Sequence, residues 1–303
     1  MPIVFEGATI SGGISIEPYV PPAGSKAIFG YGSGPSSLTN LVSSAGVVAT
    51  DTTGVGTARF NLAAAGYGTD KAIFGYGYSP FVSITNLVSN TGVVSTDTVG
   101  VGTVRGFLAA AGYGTDKAIF GYGANASFTF VSMTNLVSNT GVVGNDVTGV
   151  GTARYHLAAA GYGTDKAIFG YGERSTGSTS ITNLVSNTGV VATDTTGVGT
   201  VRWGLAAAGY GTDKAIFGYG TSGGATNLVS NTGVVATDTA TVGTARRELA
   251  AAGFGTDKAI FGYGYTGTNT SITNLVSNTG VVANDTSGVG TARYGLAAAS
   301  YGS

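Results

Sequence analysis

The chain contains one histidine, His156, and no cysteine, which narrows its chemistry before any fold is considered. A di-histidine metal centre, a multi-histidine copper site, a thiolate metal site and a thiol nucleophile all need residues that it lacks. In the segments that vary along the chain the only carboxylates are Glu173 and Glu248, too far apart in sequence to suggest a general acid and base pair. Six aspartates, Asp51, Asp97, Asp146, Asp194, Asp238 and Asp285, precede glycine-containing loops. Each such loop offers one carboxylate, whereas calcium takes about six to eight oxygens. The glycine pairs Gly54-Val55-Gly56 and Gly75-Tyr76-Gly77 could pass for a phosphate-cradling loop, but no helix follows them to receive a phosphate. The expectation is a protein with no catalytic residues, metal or cofactor, and not an enzyme.

Charge excludes a second class. Lys and Arg together number 14 against 15 Asp and Glu, and neither sign forms a run, so the basic surplus that neutralises nucleic-acid phosphates is missing. Hydrophobic residues make up 43% of the chain, more than a disordered chain carries, so the 53 glycines do not signal a linker. No stretch approaches the roughly 20 apolar residues of a membrane-spanning helix. The start MPIVFEGATISGG has neither the cationic opening nor the long apolar core of a secretory signal, and the residues leave the localisation open.

What must position any functional group is a repeat. KAIFGYG begins at Lys26, Lys71, Lys117, Lys166, Lys214 and Lys258, at intervals of 44 to 49 residues. Between copies run TNLVSNTG (Thr85 to Gly92 in the second unit), VVxTD and ARxxLAAAGYGTD. β-Branched and aromatic residues such as Ile73, Phe74, Tyr76, Val88, Val93 and Val94 alternate with glycine turns, which predicts strands. The second unit is expected to supply four of them, over 62–67, 71–76, 83–89 and 92–98. A period in the forties with several short strands points to propeller blades, because helical repeats would need amphipathic stretches of a dozen residues or so. The fold class expected is all-β: a six-bladed β-propeller of four-stranded antiparallel blades over residues 23–303.

The ends add a detail. The first unit starts at Lys26 with no LAAAGY strand before it, and the chain finishes on ARYGLAAASYG, Ala292 to Gly302, with nothing to follow. The last strand is therefore expected to complete the first blade and close the ring. Residues 1–22 lie outside the repeat; with Pro18, Pro21 and Pro22 they read as a short arm and stiff link, an expected assembly anchor.

The units resemble kelch β-propellers. Gly75-Tyr76-Gly77 stands where kelch repeats carry two adjacent glycines, and Arg59 followed by Leu62 to Ala65 resembles the opening of the next blade. The kelch tryptophan is missing from every unit. Near-identical tandem repeats with variation confined to loops also resemble, in style, virion proteins of tailed bacteriophages in tails, fibres or capsid decoration.

Function is expected where the copies differ. One variable segment follows GYG, and the other is the residue pair between Arg and Leu in ARxxL. Strand parity puts both on one face, and the constant turns on the other. That face would carry Phe60, Tyr78, Phe81, Phe107, Phe128, Phe130, Tyr155, His156, Trp203, Arg247, Glu248, Tyr265 and Tyr294, an aromatic content suited to protein interfaces and to sugar stacking. The bland alternative is that unconstrained loops drift and that some aromatics cap the core. The recurrent charges Arg59, Asp70, Lys71 and Asp97 with their copies read as scaffold ties, with a ring of cations or a carboxylate-lined channel as the functional alternative. The function expected is a non-enzymatic binding or structural module. Its partner would be a protein within an assembly or a host-surface receptor or glycan, with a carbohydrate-binding lectin as the alternative, no nucleic acid and no membrane insertion.

Overall fold

A computed structural model describes residues 25–240 and 242–302, and among these every regular element is a β-strand. The arm expected over residues 1–22 lies outside the described residues. Each KAIFG segment becomes the middle strand of a three-stranded antiparallel sheet. In the second unit Ala63–Tyr67, Lys71–Gly77 and Val82–Val88 lie side by side, with Tyr67 opposite Lys71 and Ala72 opposite Val88. Burial explains the order. Ala72, Ile73, Phe74 and Tyr76 are fully buried, as a strand covered on both faces must be, whereas AAAGY alternates between buried and half-buried positions.

The arrangement recurs around Lys117–Gly121, Lys166–Gly170, Lys214–Gly218 and Lys258–Tyr265. For Lys26–Gly32 the AAAGY partner comes from the other end of the chain: Ala297–Tyr301 pairs with it, Lys26 opposite Tyr301 and Gly30 opposite Ala297. The pairing of the two chain ends expected from the sequence is present.

Successive sheets pack through one phenylalanine and one glycine. At Gly75 an added Cβ would lie 2.6 Å from Phe120 Cζ, so only glycine lets the neighbouring ring approach. Phe74 occupies the same position over Gly30, and Phe29 over Gly262, which places the sixth-unit sheet against the first. The AAAGY strand of each sheet touches those of the next and the previous one, including Ala297–Tyr301 with both Ala250–Phe254 and Ala63–Tyr67.

The second recurrent tie is a buried arginine. Arg202 donates to Tyr219 O at 2.9 Å, Thr200 O at 3.0 Å and Asn227 Oδ1 at 2.6 Å, and its guanidinium lies 4.2 Å from the ring centroid of Tyr171 in the preceding sheet. Arg59 is held in the same way by Tyr76 O, Thr57 O and Asn86, over Tyr31. The tyrosine reaches this position because GYG bends out of the ladder: Tyr76 has φ +61° and the strand register shifts between Gly75 and Gly77. Asp97 accepts from Thr57 N and Oγ1 and from Asn86 Nδ2, linking consecutive units. Lys71 pairs with Asp70 at 2.8 Å inside one turn. Arg59 and Asp97 thus contact the neighbouring unit, while Asp70 and Lys71 pair within their own turn.

The expected fourth strand is the main difference. Residues 92–98 make two isolated bridges, Val94 with Val88 and Thr98 with Thr85, and no regular strand. The cause is Asn86, whose side-chain amide donates to Ser95 O and Asp97 Oδ1 and so takes the place of ladder hydrogen bonds. Val93 in this segment is 66% exposed.

Candidate functional site

Each ARxxL segment delivers two variable residues to one end of its AAAGY strand. The first of the pair hydrogen-bonds to the loop after GYG. Phe60 bridges Tyr78, Tyr155 bridges Glu173, Arg247 bridges Tyr265, Gly106 pairs with Ala124, Thr221 N donates to Trp203 O, and Ser33 N donates to Tyr294 O. The two variable regions are joined directly, as strand parity requires.

The second of the pair turns inward with a left-handed backbone. Asn61, Phe107, His156, Gly204, Glu248 and Gly295 have φ between +51° and +64°. Their amides form a closed circuit. Phe107 N donates to Asn61 O at 2.7 Å, His156 N to Phe107 O at 2.9 Å, Gly204 N to His156 O at 2.9 Å, Glu248 N to Gly204 O at 2.6 Å, Gly295 N to Glu248 O at 2.8 Å and Asn61 N to Gly295 O at 2.6 Å. This circuit rims a pocket of about 70 Å³ floored by leucines that include Leu62 and Leu205.

Outside the rim the aromatic side chains touch in succession. Ring centroids are 5.2 Å apart for Phe60 and Tyr78, 5.4 Å for Tyr78 and Phe107, 4.6 Å for Phe107 and His156, and 4.9 Å for His156 and Trp203. The Arg247 guanidinium bridges Trp203 at 5.5 Å and Tyr265 at 4.9 Å, and Tyr265 reaches Tyr294 at 5.4 Å, which returns to Phe60 at 6.3 Å. Phe81 and Phe128 pile onto Tyr78, and Phe130 stacks on Tyr155 at 4.3 Å. Glu248 sits beside Arg247, Nε to Oε1 at 3.8 Å. All thirteen residues expected on the variable face therefore belong to one connected surface. Phe128 is 53% exposed, and the others are half-buried against one another. Edge-to-face contacts of this kind stabilise the face itself as well as offering ring edges to a ligand.

Electrostatics divide the surface. Burial pushes the Glu248 carboxyl up, partly offset by Arg247. Tyr155 donates to Glu173 at 3.2 Å, and burial followed by that carboxylate raises its phenol. Burial pushes His156 from 6.5 down to about 3, with Arg247 adding to the effect. Below about pH 6.5 the unfolded chain takes up a proton that the folded chain refuses, so His156 stabilises the fold at neutral pH and its contribution is lost on acidification. The loss should reach about 2 kcal/mol by about pH 5. The variant His156→Gln should flatten this limb in urea denaturation at the two pH values. Glu248 acts in the opposite sense in both proteins and cancels from the comparison. An unchanged pH dependence would mean that the imidazole is solvated.

Asn61 belongs to the variable pair after Arg59, yet it is not among the residues expected to bind, since a face defined by its aromatics passes over an amide that the structure places in the circuit. Among the described residues no group of three or more His, Asp or Glu stands together as metal ligands. No protein-family model matches the chain, and no curated protein matches it in sequence.

Proposed function

We propose that the six sheets are the blades of a six-bladed, kelch-like β-propeller and that the chain is a non-enzymatic binding module acting through the aromatic face around the Asn61–Gly295 circuit. The observation that carries this reading is the continuous succession of variable rings from Phe60 to Tyr294, bridged by Arg247 between Trp203 and Tyr265, at one end of the AAAGY strands, while the intervening sequence stays nearly constant. The six-membered circuit of amides, and the pairing of Ala297–Tyr301 with Lys26–Gly32, are what a closed ring of six units needs. Half-buried Trp, Tyr, Phe and Arg surrounding the rim suit a protein partner, in which such residues act as anchors. Repetition with loop-confined variation favours a partner in a larger assembly, such as a virion, or on a host surface.

A lectin is the second reading, favoured by the tilted rings near Glu173, Asn61 and Glu248, which could stack on a pyranose and orient its hydroxyls. The intact chain is applied to a glycan array and, in parallel, cross-linked in its native source. Trp203→Ala and Tyr155→Ala should each weaken partner capture by roughly thirtyfold, the scale of a hot-spot residue at about 2 kcal/mol. Glycan binding lost in these variants would establish the lectin. Partner capture unchanged in both would remove the face from consideration.

A further inference from the structure

The opposite end of the AAAGY strands holds a cavity of about 320 Å³, room for about ten water molecules. It is lined by Lys71, Lys117, Lys166, Lys214 and Lys258, by a threonine from each of the same turns, and by Ser25, which stands before Lys26 where the other turns carry an aspartate. Asp257 is the one carboxylate in the lining. Every partner carboxylate accepts from its lysine and from an asparagine side chain: Asp70 with Asn90, Asp116 with Asn139, Asp165 with Asn187, Asp213 with Asn231 and Asp257 with Asn278. The turns carrying these lysines are themselves locked. Gly68 N donates to Asp116 O, Gly114 N to Asp165 O, Gly163 N to Asp213 O, Gly211 N to Asp257 O, Gly255 N to Ser25 O and Gly302 N to Asp70 O, all at 2.6 to 2.7 Å.

Two features go beyond what tying a turn requires. Five ammonium groups are gathered around one cavity, each paired with the aspartate before it at 2.7 to 3.0 Å and each about half exposed, so that an anion in the cavity meets all five. The turns also keep Thr69, Thr115, Thr164 and Thr212 at φ of +68° to +70°, a strained setting for a β-branched residue where glycine or asparagine would sit unstrained. Threonine there adds a hydroxyl to the cavity lining; those of Thr115 and Thr164 donate to Gly114 O and Gly163 O at 2.6 Å and could turn to a multiply charged anion, which would accept from hydroxyl and ammonium donors alike.

We propose that this cavity binds a compact polyanion carrying several phosphate groups, held by the five lysines and the threonine hydroxyls. The cavity size selects a small cluster of phosphates over a polymer, and the site is independent of the aromatic face at the other end. Calorimetry of the intact chain with inorganic trimetaphosphate and with myo-inositol hexakisphosphate, against a sulfate control at low ionic strength, tests it. One ion should bind per chain. The double variant Lys117→Gln, Lys214→Gln, whose side chains are about half exposed, should keep its melting temperature and lose at least about tenfold in affinity. Asp116→Asn with Asp213→Asn, which leaves two ammonium groups uncompensated, should bind more tightly, and Trp203→Ala should bind as the parent does. Binding of hexakisphosphate alone assigns the site to a phosphorylated polyol, and binding of both assigns it to the phosphate cluster itself. No heat with either ligand at millimolar concentration, equal binding of sulfate, or unaltered affinity in the lysine double variant would overturn the proposal.

Discussion

Deleting residues 294–303 abolishes cooperative unfolding, because the strand removed is the partner of the most buried strand of the first sheet. Ala27, Ile28 and Phe29 are fully buried, and Ala298–Ser300 lies opposite them. The deletion exposes that edge, removes buried Leu296, Ala297, Ala299 and Tyr301, and takes away Gly295, which closes the amide circuit between Glu248 and Asn61. Burial of Leu296 alone contributes about 1.5–3 kcal/mol, and each backbone hydrogen bond about 1 kcal/mol. The sum is comparable to the whole margin of about 5–15 kcal/mol by which domains are stable. The expected measurement is a broad thermal transition by near-ultraviolet circular dichroism in place of a sharp one. A truncated chain that melts sharply at the parent temperature would show that the two ends stabilise nothing by pairing.

Replacing Arg202 by methionine is expected to cost about 3–5 kcal/mol, the range seen when one partner of a buried charged network is removed. The side chain is fully buried, and burial lowers its basicity while the neighbouring Tyr171 and Asp238 support the charge. Methionine fills the volume but leaves Tyr219 O and Asn227 Oδ1 without their donor and Tyr171 without its cation, so the loss is one of satisfied polar groups rather than of packing. Urea denaturation reads the change, and Arg202→Lys should recover only part of it, since a single ammonium nitrogen cannot reach the three acceptors that the separate guanidinium nitrogens serve. A loss below about 1 kcal/mol would mean that water replaces the guanidinium at this site.

The same arginine marks how far sequence reading reaches. That Arg59 recurs with every unit was legible; that it and its copies are buried was not, since a charged residue is ordinarily exposed and only the convergence of Asn86, Tyr76 O and the preceding Tyr31 makes burial affordable. The KAIFG, AAAGY and TNLV strands were legible because burial on a pleated sheet writes itself as apolar runs and alternation. The VVxTD segment carries the same β-branched signal and is not a regular strand, because the Asn86 side chain competes for its backbone and no strand lies beyond it to demand a ladder.

The thirteen residues of the variable face were found by comparing copies within the chain, and strand parity sufficed to put them on one side. Their mutual contact could not be read the same way. His156 and Trp203 are 47 positions apart in the numbering, yet their rings meet because equivalent positions of successive units become neighbours in space.

What the amino-acid sequence determined alone is therefore everything carried by local period and by repetition: strand-forming segments, turns, the matching of the two ends, and which positions vary. Tertiary structure alone decided which groups face one another across units. It placed five lysines around one cavity, closed the amide circuit at Gly295, and buried the arginines. The reason is that each of these depends on the angle and distance between neighbouring sheets, set by Phe120 seating against Gly75 and its equivalents, and no residue in a single unit encodes that relation by itself.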